Sequence, residues 1–148
     1  MLYFWVTKGE VLTYLSGAKS DIDKVVSKFR DQLSRRGVII PNEDIKNLSD
    51  NLTELDSIIK QGFPKILRYL KTKGGRIPRI QNPLIYYGMV NQCETSLWPN
   101  IKSRLKEIIS YINRSDAKHL SNILGQINED VNKFKANIDK LIEVMKRA

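Results

Sequence analysis

The sequence predicts a mainly α protein, an antiparallel bundle of four to five helices with a short N-terminal β-hairpin. Three observations carry this expectation. Apolar residues recur at intervals of three and four over most of the chain, the spacing of a single helix face. Start and stop residues punctuate these stripes at short intervals, among them Ser20, Gly37, Pro41, Pro83 and Pro99. The last stripe, Leu120, Leu124, Ile127, Val131, Phe134, Ile138, Leu141 and Met145, alternates 4 and 3 without a break, which is the seam of a long bundle helix or coiled coil.

Taken in order, the first segment pairs two aromatic and β-branched runs, "LYFWV" and "VLTYL", around "TKGE". Such residues fit a pleated surface and the gap suits a hairpin loop, so residues 1–17 are read as a hairpin or apolar arm. The rival is a short helix from Glu10 to Leu15. Ser20 with Asp21 and Asp23 starts a helix carrying Ile22, Val25, Val26, Phe29 and Leu33, stopped by Gly37.

A second helix opens near Asn42, with Glu43 and Asp44 in its first turn. Ile45, Leu48, Leu52, Leu55 and Ile59 form its stripe, and Phe63, Ile66 and Leu70 extend it. Gly62 and Pro64 interrupt that extension, so a kink or restart is expected there. Asn82-Pro83 caps and starts a third helix that ends near Ser96. Pro99 starts a fourth, with Ile101, Leu105, Ile108 and Ile112, and Ser115 caps the last. No internal repeat or low-complexity linker occurs, and the 148 residues are read as one domain. A chain of that length buries roughly 70% of its unfolded surface.

Charge is the least ordinary property. The net charge is +9 and the pI about 9.7, which draws a chain to nucleic acid, an anionic membrane or an acidic protein surface. Glu43, Asp44, Asp50, Glu54 and Asp56 face only Lys46. Between Asp56 and Glu94 no acid occurs, while Lys60, Lys65, Arg68, Lys71, Lys73, Arg76 and Arg79 do. Residues 71–82 read as a basic loop. Gly74 and Gly75 let backbone amides approach an anion, and Tyr69 and Tyr86 could stack on unpaired bases. Lys60, Lys65, Arg68, Lys71, Lys73, Arg76, Arg79, Tyr69, Tyr86, Gly74 and Gly75 are therefore the candidate contacts to a sugar-phosphate backbone.

Other chemistries find little support. Gly74-Gly75 is followed by Arg rather than Lys-Ser/Thr, so the stretch is no P-loop. Cys93 and His119 stand alone, which excludes an intrachain disulfide and a zinc site within one chain. As a nucleophile–base pair they have no supporting spacing. Asp50 with Glu54, and Asp139 with Glu143, share helix faces without the Glu-x-x-His of a di-metal bundle. The expectation is a non-enzymatic protein with no cofactor, metal or transmembrane segment. It has no signal peptide, and it is placed inside the cell, cytoplasmic or nucleoid-associated. Its expected role is a low-specificity DNA- or RNA-binding accessory or packaging protein. The alternative is a small interaction module docking on a larger assembly. Self-association through the C-terminal helix or the N-terminal aromatics belongs to the same set of expectations.

Overall fold

A computed structural model describes residues 7–35, 39–73, 83–114 and 116–147, with side chains left aside at 71–73, 83 and 117. The described residues form α1 (Lys8–Leu33), α2 (Asn42–Lys73), α3 (Pro83–Gln92), a π-helical turn (Cys93–Leu97), α4 (Trp98–Tyr111) and α5 (Ala117–Arg147). Because α3, the π turn and α4 run on as one rod, there are four rods. They alternate in direction, α1 packing on α2 and α5, and the third rod packing on the same two. The mainly α bundle is as the stripes predict.

The N-terminal expectation is corrected where it can be seen. Val11–Leu15, the second strand of the expected hairpin, lies within α1; the first strand falls outside the described residues. Thr7 caps the helix, its Oγ1 accepting from the Glu10 amide at 3.1 Å, and Glu10 sits at the positive end of the helix dipole. Val11, Leu15 and Ala18 continue the phase of Ile22, Val25 and Phe29, and Val11 and Leu15 are fully buried. Burying two such side chains contributes about 3–6 kcal/mol. A β preference spanning about 1 kcal/mol does not compete with that.

Helix α2 does not restart at Gly62–Pro64; it continues to Lys73 with Pro64 inside it. An internal proline costs about 3 kcal/mol. Pro64 faces solvent, while Phe63, Ile66 and Leu67 beside it are buried in the core, and their burial offsets that cost. Gly62 has a packing reason instead. A Cβ there would lie 2.8 Å from Cδ1 of Tyr14, so glycine lets the α1 tyrosine ring lie against the α2 backbone.

The third and fourth expected helices are likewise one rod. The π turn joins them, the Trp98 amide donating to the Cys93 carbonyl. Wide i→i+5 bonding fits Pro99, which has no amide to give and needs room behind it. At the start of α5, Asp116 does the capping, accepting from the His119 amide at 2.7 Å; Ser115 lies outside the described residues.

One apolar core joins all the helices. Phe63 of α2 and Phe134 of α5 stack across its centre, ring centroids 5.7 Å apart. The α5 seam is buried except at Leu124, which is half-buried while Ile123 turns inward. Polar ties fix the register between rods: Lys19 with Asp139 at 2.5 Å, Lys135 with Asp23 at 3.0 Å, and Arg104 with Asp130. Asn113 closes the far end, its side chain donating to the Ile40 carbonyl and accepting from the Ile40 amide, both at 3.0 Å.

Candidate nucleic-acid interface

The acid-free interval spans the C-terminal half of α2 and the start of α3, which meet at one end of the bundle. On α2 the stripe Phe63, Ile66 and Leu70 turns to the core, so Lys60, Lys65 and Arg68 fall on the exposed side. Lys71 and Lys73 lie in the last turn of the same helix. Arg76, Arg79, Gly74 and Gly75 lie outside the described residues, as does most of the expected loop; the loop's first three positions are helical.

The cations differ in what holds them. The Lys65 ammonium is 3.5 Å from the Tyr14 phenol oxygen and 5.6 Å from its ring centroid, a contact that orients it without neutralising it. Lys60 is opposed: it pairs with Asp56 at 3.0 Å, as does Lys102 at 2.8 Å, while Trp98 Nε1 donates to the other carboxylate oxygen at 2.9 Å. Burial alone would raise the Asp56 carboxyl. The bonds from Lys102, Trp98 and Lys60, with the Lys102 charge, outweigh it and hold it down at about 2. These groups line a cavity of about 300 Å³ together with Glu94, whose carboxyl burial pushes up and whose Oε2 has no hydrogen-bond partner.

The aromatic candidates also divide. Tyr69 is only 6% exposed and belongs to the core, so it offers no ring face to a base. Burial raises its hydroxyl pKa. Tyr86 is half-buried against the core at the start of α3.

Topology adds cations that no local stretch of sequence groups with α2. The antiparallel course of α5 brings Lys140, Lys146 and Arg147 to the same end, where Arg147 pairs with Glu143 at 2.6 Å. Among the described residues, the half of the bundle around that end (8–20, 57–73, 83–97 and 133–147) holds twelve Lys or Arg against four acids. The other half (21–35, 42–56, 98–114 and 116–132) holds ten against twelve. Among the described residues the excess of positive charge thus lies in one half of a rod about 45 Å long.

Cys93 and His119 are not brought together. The Cys93 thiol is buried against the Phe134 carbonyl, 3.8 Å away, and burial pushes it up to about 11, against a smaller lowering by Asn137. His119 is exposed fifteen residues earlier on α5, about 22 Å along the helix. Among the described residues no three His, Cys, Asp or Glu side chains group as metal ligands, and no helix is long and apolar enough to cross a membrane. Comparison of the chain with protein-family models, with curated proteins and with solved structures finds no match to any of them.

Proposed function

We propose that this protein binds nucleic acid through the cationic end of its bundle, holding the sugar-phosphate backbone without catalysis, as an accessory or packaging protein. The observation that supports this best is the division of charge along the bundle: among the described residues, the excess cations fall in the half that contains the acid-free part of α2. Phosphates are recognised by such an array because each contact releases condensed counterions. The proposed contacts are Lys65, Arg68, Lys71, Lys73, Lys146 and Arg147, joined by Arg76 and Arg79 from the interval between α2 and α3 and by Gly74 and Gly75 as backbone donors. Lys60 has a lesser part, since Asp56 already opposes it.

Titration of a labelled oligonucleotide at several salt concentrations tests the reading. Affinity falls with salt by about 0.7 log units per log unit of salt for each single-strand phosphate neutralised, or about 0.9 on duplex. Lys65→Gln with Arg68→Gln lowers that slope by one to two contacts' worth and weakens binding to all sequences alike. An unchanged slope removes α2 from the interface.

A second reading, an interaction module docking on a larger assembly, is favoured by the opposite end. There Ile39 is exposed beside the acidic first half of α2, a surface suited to a basic protein partner. Retention of the chain on an immobilised partner that is lost when Glu43 and Asp44 become Gln, with no binding to oligonucleotides, would select it.

A further inference from the structure

We infer that the strand taken by the cationic end is single-stranded, with unpaired bases resting on an apolar step formed by Leu84 and Ile85. The inference rests on the nucleic-acid reading above and names its substrate class. Leu84 is 80% exposed and Ile85 58%, consecutive residues in the first turn of α3. Their neighbours in that helix include no charged residue. Two bare aliphatic side chains therefore stand in the cationic half of the bundle.

Charge complementarity narrows the occupant. A second copy of the chain meeting this step face to face would set twelve cations against twelve with four acids on each side, and like-charge juxtaposition opposes it. The occupant has to be anionic and must also offer flat apolar surface. Duplex exposes its phosphates but stacks its base faces away, whereas a single strand offers both within each nucleotide. Tyr86 and Tyr87, the next two residues, are half-buried against the core and leave the step to the two aliphatic side chains.

The experiment measures fluorescence anisotropy of the full chain with a labelled mixed-sequence single strand and with a blunt duplex of equal length, at two salt concentrations. The comparison is between the native protein and L84S/I85S, whose substitutions sit on exposed positions and leave the core untouched. Tighter binding of the single strand is expected, with L84S/I85S weakening it about fivefold or more, as for the loss of part of one apolar side chain's buried surface, and leaving the salt slope unchanged. Equal or tighter duplex binding, or a single-strand affinity indifferent to L84S/I85S, overturns the inference while the phosphate reading stands. Absence of salt-dependent binding to either strand sinks both. Sedimentation with phosphatidylserine vesicles that L84S/I85S abolishes, without strand binding, would assign the step to a membrane surface and also overturn the inference.

Discussion

Replacing Asp56 with Asn removes the one negative charge on which Trp98, Lys102 and Lys60 converge. The carboxylate side chain is 14% exposed, so solvent screens it little. Its pKa falls from the ordinary 3.8 to about 2 on folding, and each unit corresponds to about 1.4 kcal/mol. Asp56 therefore stabilises the fold by about 2 kcal/mol at neutral pH. Because the folded pKa lies below the unfolded one, this stabilisation is complete above about pH 4 and is lost as pH falls through 2. Urea unfolding of the native protein and D56N at pH 7, 5, 4, 3 and 2 measures it. The difference should be about 2 kcal/mol at pH 7, little changed at pH 5, and shrink steeply between pH 4 and 2. A difference constant over the whole range would refute the electrostatic account and assign the loss to packing around Trp98.

Three further outcomes follow from the packing. Gly62→Ala pushes a methyl group to 2.8 Å from the Tyr14 ring and should destabilise by about 1–3 kcal/mol despite the better helix propensity of alanine. Gly125→Ala, with nothing within 4 Å of the added carbon, should stabilise by up to about 1 kcal/mol, both read from denaturant midpoints. The Cys93 thiol, buried and held up at about 11, should react with a disulfide reagent at pH 8 only as fast as the bundle opens, and rapidly in urea.

What the sequence made legible was local. The stripes of α2, α4 and α5 could be read because a helix repeats its buried face within four residues, and nearly all of those positions are buried. The signals of interruption were met unevenly: α2 runs through Gly62 and Pro64 without a restart, and α4 does begin at Pro99's turn but is joined to α3 through the π turn. Val11–Leu15 carries strand-forming residues whose helical phase shows only when matched to Ile22, one turn beyond Gly17 and Ala18. At the candidate site, the acid-free run on α2 was visible as composition. The Asp56 network joins residues 42 and 46 positions apart, and the cations of α5 join that run only through the chain's course. Tyr69 could not be told from an exposed tyrosine without the register of α2.

A rod whose cations crowd one tip carries a permanent dipole along its long axis. In the field of a polyanion such a body feels torque before it feels contact, at distances set by the screening length of about 8 Å in physiological salt. On the nucleic-acid reading proposed above it would arrive upright rather than lying flat, with a footprint of one tip's width rather than the rod's length. Neighbouring copies could then stand side by side along a strand, with the Ile39 tip of each pointing outward.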